Sequence, residues 1–102
     1  MDITLPSDET TTSKLNRETA KIRWQELQRF YASGAAIAVA KGTDLIEVAT
    51  QFSEDNKPAV EKWLAEGSVY PVTDSQAASW LNQNATVWSV VVAPWVLVQE
   101  VS

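Results

Sequence analysis

Cysteine and histidine are both absent from this chain of 102 residues. Without cysteine there are no disulfides, no thiolate zinc ligands and no thiol nucleophile. Without histidine the chain lacks the side chain best suited to proton transfer near neutral pH, and also the commonest transition-metal ligand. A Ser-His-Asp or Cys-His catalytic arrangement is therefore excluded. These absences favour a protein that is not an enzyme, has no catalytic residues and uses no metal or other cofactor. The alternative is an enzyme that works with carboxylates or lysine alone, which a cleft holding two carboxyl groups of strongly perturbed pKa would indicate.

Glycine and long apolar runs are also scarce. Gly34, Gly42 and Gly67 stand alone, so none of them belongs to a glycine-rich phosphate loop. The longest apolar run, residues 87–98, is too short to span a bilayer, which takes about 20 apolar residues. Residues 1–12 are polar and acidic, without the cationic start and apolar centre of a signal peptide. We therefore expect a cytoplasmic protein that does not interact with a membrane.

The charge balance is acidic, because 13 acidic and 8 basic residues give a net charge of −5 at neutral pH. Such a chain lacks the overall basic character of a nucleic-acid-binding protein, although a local basic patch remains open. Its length suits one domain, and a hydrophobic fraction of 45% is enough for a core without metals or disulfides. We expect a flexible leader over residues 1–12 and a single α+β domain over residues 13–102.

Hydrophobic spacing and capping residues predict four helices. The first covers residues 13–33 and ends before Gly34. The other three begin after the predicted capping residues Asp44, Asn56 and Thr73. The core-facing residues predicted for these helices are mostly aromatic and aliphatic: Ala20, Trp24, Leu27, Tyr31, Leu45, Val48, Ala49, Phe52, Val60, Trp63, Leu64, Ala77, Trp80 and Leu81.

Three strands are predicted, over residues 36–40, 68–72 and 87–98. The last is apolar on both faces, so it is either buried on both faces or paired within an assembly. Pro94 cannot donate to a sheet ladder. A tight hairpin is not expected here, because no Gly, Asn or Asp is available for a two-residue turn. We therefore predict one long strand bent at Ala93 and Pro94 and covered by the same chain, the alternative being cover by another chain.

Together these elements predict an α+β fold in which about four helices pack on a small three-stranded sheet. The order of elements also fits a winged-helix-like arrangement, with the second and third helices as a helix-turn-helix. Three features weaken that alternative. The turn SEDNK is longer than usual, a further helix interrupts the wing, and the third helix carries carboxylates that would face phosphates.

Three stretches of the chain carry a family resemblance: KLNRETAKIRWQELQRFYASG, DLIEVATQFSEDNKPAVEKWLAEG and, as the most specific, VVVAPWVLVQE. They resemble a family of small bacterial proteins known as a domain of unknown function (number 2288). The resemblance covers roughly residues 14–100. It implies a bacterial, cytoplasmic protein and transfers no catalytic or binding residue to this chain.

Four apolar residues are candidates for a partner-binding surface. Leu15 and Ile22 form a second apolar strip on the predicted first helix. Trp88 and Trp95 point to opposite sides of the predicted last strand, so at most one of them faces a given core. The other is free to anchor an interface, as tryptophan commonly does. The sequence therefore predicts a noncatalytic protein-interaction module, whose partner is an unidentified protein or a second copy forming a homodimer.

The alternative function is a winged-helix-type nucleic-acid-binding protein that acts through Lys57 and Lys62. Cations on a helix increase its affinity for the phosphates of nucleic acid, whereas Glu61 and Glu66 on the same helix would reduce that affinity. Nucleic acid is therefore the less favoured partner.

Overall fold

The computed structural model describes residues 19–101 of the chain, and this part contains a five-stranded sheet. The sheet order is β1-β4-β5-β2-β3, with strands β1 Ala20–Arg23, β2 Ala36–Val39, β3 Val69–Pro71, β4 Thr86–Val92 and β5 Trp95–Glu100. Strands β2 and β5 are parallel, and the other neighbouring strands are antiparallel. The chain is therefore α+β as predicted, but the prediction of a three-stranded sheet was wrong.

The helices are α1 Gln28–Ala32, α2 Leu45–Ser53, α3 Lys57–Glu66 and α4 Asp74–Asn82, and a 3-10 helix, Trp24–Leu27, leads into α1. The predicted caps are confirmed. The Asp44 carboxylate accepts hydrogen bonds from two backbone N–H groups at the start of α2, at 3.0 and 3.2 Å. Asn56 and Thr73 accept one each at the starts of α3 and α4. These bonds satisfy N–H groups that have no partner within a helix.

The predicted first helix was wrong over most of its described length. The chain forms strand β1 over Ala20–Arg23, and only Gln28–Ala32 is α-helical. In β1, Ile22 lies opposite Val87 of β4. The backbone pairing of β1 with this distant strand prevails over local helix propensity, which tertiary context commonly overrides. Residues 13–18 of the prediction lie outside the described residues.

The C-terminal apolar run is a tight hairpin rather than one bent strand. Val92 of β4 pairs with Trp95 of β5 across a connection of two residues, Ala93 and Pro94. The peptide bond between them is cis. Proline in cis at the third position is the arrangement of a type VI turn, which requires no Gly, Asn or Asp. The predictions of a strand bent at Pro94 and of no hairpin were therefore wrong.

Helices cover both faces of the sheet. Helices α2 and α3 pack on one face, around the buried residues Ile37, Val39, Leu45, Val48, Ala49, Val69, Val90, Val92 and Leu97. The 3-10 helix, α1 and α4 cover the other face, around Trp24, Leu27, Ala36, Ala38, Val72, Ala77, Trp80, Val87, Val96 and Val98. A mixed sheet between two helical layers is not a winged helix, so the winged-helix-like prediction was also wrong. Within residues 19–101, no helix is both long and apolar enough to cross a membrane.

Candidate partner-binding groove

A groove of about 350 Å³ lies between α3 and the sheet, near the first residues of β2 and β5. The sheet contributes its floor, and the helical layer contributes Phe52, Val60 and Leu64. The floor residues are Ile37, Val69, Pro71 and Trp95. Its volume falls at the lower end of the usual range for ligand pockets, about 300 to 1,000 Å³. Most of the lining is apolar.

The groove exists because α3 does not pack closely on the sheet. None of its residues is fully buried, although Trp63 packs against the core beneath α2. Leu64 retains 49% of its accessible surface and Leu81 of α4 retains 45%, so the prediction that these two leucines face the core was wrong. The helix is held at both ends, by the Asn56 cap and by Gly67 in the left-handed conformation with φ of 78°. Helix α3 therefore forms one side of the groove, and the space between it and the sheet is not filled by side chains.

Trp95 supplies the aromatic part of the groove. It opens β5 directly after the turn and retains 38% of its accessible surface. Its side chain shares the α2–α3 face of the sheet with Leu97, which is fully buried, because alternate residues of a strand point to the same face. The ring is therefore anchored at the edge of the core while part of it remains accessible to a ligand.

Charged side chains stand beside this apolar lining. Asp55, Lys57 and Glu61 line the groove and are exposed. They belong to a strongly acidic part of the chain, since residues 44–67 contain six acidic and two basic residues, a net charge of −4. The remaining described residues, 19–43 and 68–101, contain four basic and three acidic residues, a net charge of +1. The negative charge of the described chain is thus concentrated in the layer that forms the groove.

The family described as "Protein of unknown function (DUF2288)" matches residues 10–100. The chain belongs to the DUF2288 family. Its fold is similar to the NMR solution structure of PA1075 from Pseudomonas aeruginosa, with a TM-score of 0.80 and 40% sequence identity. That similarity covers 97% of this chain and 94% of the PA1075 chain. No curated protein matches the chain significantly.

The two tryptophans predicted as partner-binding residues lie on the same side of the sheet in this DUF2288 chain. Trp88 is half-buried against the α2–α3 core, with the Lys21 ammonium 5.0 Å from its ring centroid. Trp95 lines the groove on that face. The prediction that they point to opposite sides was wrong, because the two-residue turn replaces the continuous strand on which it rested.

Ile22, the described residue of the predicted strip, lies on the opposite face of the sheet from Trp95. Ile22 is half-buried on β1 and packs against the cluster on the opposite face of the sheet. Leu15 lies outside the described residues. The structure thus separates Ile22 from Trp95, and among the three described candidates, Ile22, Trp88 and Trp95, it is Trp95 that lines the groove.

The two lysines of the alternative function both lie on α3. Lys57 lines the groove beside Asp55 and Glu61, whereas Lys62 is exposed and lies outside the lining. Sequence patterns did not indicate Phe52, Asp55 or Leu64 as binding residues. Helical spacing marks Leu64 as apolar but carries no information on how far α3 stands from the sheet. Among residues 19–101, no group of three acidic side chains is arranged to hold a metal ion.

On the opposite face, Tyr31 and Asp74 join α1 to the start of α4. The Tyr31 hydroxyl donates a hydrogen bond to the Asp74 carboxylate. This bond is the main reason that the pKa of Tyr31 is raised above its ordinary value, with smaller contributions from desolvation and the Asp74 charge. The pair lines a second opening of about 520 Å³ together with Arg29 and Leu81.

Proposed function

We propose that this DUF2288 protein is a noncatalytic protein-interaction module, and that its docking surface is the groove beside α3. The observation that carries the proposal is the exposure of Leu64 and Trp95 in one groove of ligand-binding size. Among the described residues, the large hydrophobic side chains left exposed are Leu64, Leu81, Val91 and Trp95. Apolar surface collected in a concave site is characteristic of interaction sites, and tryptophan is a frequent anchor there.

The chemistry of the groove favours binding over catalysis. Its charged side chains are two carboxylates and one lysine, all exposed to solvent. Carboxylates that act as a catalytic acid and base commonly lie in closed, desolvated sites. There the surroundings of the two groups differ enough to give them different pKa values. The groove instead offers a mainly apolar contact surface with charges beside it, which is the anatomy of an interaction site.

A different protein is a better partner for the groove than a second copy of this chain. In a symmetric dimer each subunit contributes the same patch. Pairing through the groove would therefore place one acidic α2–α3 layer against another. Opposed like charges disfavour such an interface. We propose a heterologous partner, and the mass of the protein in solution would reveal a homodimer.

Affinity capture from native lysate with a matched pair of variants tests the proposal. Leu64→Ala removes an exposed leucine from the groove, whereas Leu81→Ala removes a leucine of similar exposure from the other face. We expect the wild type and Leu81→Ala to retain the same stoichiometric protein and Leu64→Ala to lose it. Retention by all three proteins, or by none, would contradict the proposal.

The nucleic-acid-binding alternative stays a prediction. Its two lysines are on α3, but the layer around them is acidic. A nuclease-treated sample in the same capture experiment tests it. A captured protein that disappears on nuclease treatment, together with nucleic acid in the untreated eluate, would support nucleic-acid binding.

A further inference from the structure

We propose that the groove beside α3 recognises a segment of another protein that presents apolar side chains next to basic residues. This inference rests on the proposed function and specifies the chemistry of the partner. It combines two properties of the same surface, an apolar lining and a concentration of negative charge beside it.

The apolar lining calls for apolar side chains on the partner. Leu64 and Trp95 are exposed in the groove, and the floor between them is made by buried residues of the sheet such as Ile37 and Val69. A volume of about 350 Å³ accommodates side chains rather than a folded domain. Removing these surfaces from water supplies affinity in proportion to the apolar area covered.

The charges beside the lining call for cations. Asp55 and Glu61 outnumber Lys57 among the lining residues, and residues 44–67 as a whole carry a net charge of −4. A basic group next to the bound apolar side chain would meet the carboxylates of Asp55, in the turn between α2 and α3, and of Glu61 on α3. Complementary charge across an interface fixes register and speeds association.

Lys57 does not reverse this preference. It begins α3 next to Asp55, whose backbone carbonyl accepts a hydrogen bond from the Lys57 N–H at 3.0 Å. The Lys57 ammonium contributes one positive charge to the groove lining, and the carboxylates of Asp55 and Glu61 contribute two negative charges. An acidic segment would therefore meet net repulsion.

The test uses two peptides with one apolar core and opposite flanks, acetyl-KKLFLKK-amide and acetyl-EELFLEE-amide. Binding to the full chain is followed by NMR at the indole N–H of Trp95, assigned with Trp95→Phe. We expect the lysine-flanked peptide to bind at least about tenfold more tightly at low salt, with the preference decreasing as salt screens the charges.

Paired substitutions separate the groove from general attraction to an acidic protein. Glu61→Gln and Glu66→Gln change the net charge equally, but only Glu61 lines the groove. We expect Glu61→Gln to weaken binding of the lysine-flanked peptide about threefold and Glu66→Gln to have less than half that effect. Asp55→Asn should resemble Glu61→Gln, since asparagine tolerates the left-handed conformation at this position, with φ of 55°.

Each other outcome would overturn the inference. Equal affinity for both peptides, with sensitivity to Leu64→Ala, would leave the interaction module standing but remove its charge preference. Equal effects of Glu61→Gln and Glu66→Gln would indicate bulk attraction. A Trp95 shift that depends on protein concentration without peptide would assign the groove to a second copy. If neither peptide shifts Trp95, the inference is wrong, and the lysate capture still decides the proposed function independently.

Discussion

Trp24 and Trp80 pack edge to face with their ring centroids 5.0 Å apart and their planes at 66°. Trp24 is fully buried, and its ring also meets Tyr31 at 5.9 Å between centroids. The three rings connect the segment after β1 to helix α4 on the face of the sheet away from the groove. Such aromatic pairs add about 0.5 to 1.5 kcal/mol to the burial of their surfaces. This cluster therefore holds the second helical layer in place.

Trp24→Ala should lower the free energy of unfolding by about 3 to 5 kcal/mol, because it removes a buried indole and leaves a cavity. Urea denaturation followed by far-ultraviolet circular dichroism measures the change. Trp95→Ala is the control, because part of the Trp95 ring is already in solvent, and we expect it to cost about 1 kcal/mol. Equal losses in the two variants would contradict the separation of core from groove.

Tyr31→Phe tests the bond between α1 and α4 through its pH dependence. A raised tyrosine pKa means that folding favours the protonated form, so the stabilisation is complete below the unfolded pKa, about 10, and decreases as the pH rises through the folded value. We expect the difference in stability between wild type and Tyr31→Phe to be constant from pH 7 to 9 and to shrink above about pH 10. Thermal unfolding at a series of pH values measures it. A difference that persists unchanged to pH 11 would show that Tyr31 does not act through this hydrogen bond.

The elements set by local chemistry are the ones that the sequence predicted well. Helices α2, α3 and α4 begin where Asp44, Asn56 and Thr73 provide side-chain caps, and their spacing is regular enough to recognise. Strand β1 depends instead on pairing with a segment far along the chain, with Ala20 opposite Ser89. No local pattern carries that information, because the partner strand is remote in sequence and lies outside any short window around β1.

The groove could be predicted only in part for a related reason. Trp95 was a candidate binding residue because Trp88 and Trp95 were predicted on opposite faces of one strand. At most one of them could then face a given core, which left the other available for a partner. Its neighbour Leu64 follows the same helical spacing as a core residue. The burial of Leu64 depends on the distance between α3 and the sheet. The packing of Trp63 and the caps at the two ends of α3 set that distance. Spacing along one helix cannot express that distance.

Ile22→Glu separates the β1 surface from the groove. Ile22 is half-buried on an outer strand and packs against the core cluster, so a carboxylate there would be partly desolvated. We expect a loss of about 1 to 3 kcal/mol in the free energy of unfolding, with no change in mass in solution or in binding at Trp95. The conservative control, Ile22→Val, should cost about 0.5 to 1.5 kcal/mol. A change in mass or partner capture with little loss of stability would restore Ile22 as a partner-binding residue.

Lys57→Gln distinguishes the two functions by the sign of its effect. If the groove binds basic segments, removal of its one lining lysine should strengthen binding of the lysine-flanked peptide about two- to threefold. Lys62→Gln makes the same change in charge outside the lining and should have a smaller effect. A nucleic-acid-binding protein predicts the reverse, because each lysine lost weakens duplex binding and lowers the slope of log affinity against log salt by about one. Peptide and duplex titrations over a range of salt concentrations measure both. Stronger peptide binding by Lys57→Gln, without measurable duplex binding of the wild type at low salt, supports the interaction module, because an ammonium repels a cationic peptide and attracts phosphates.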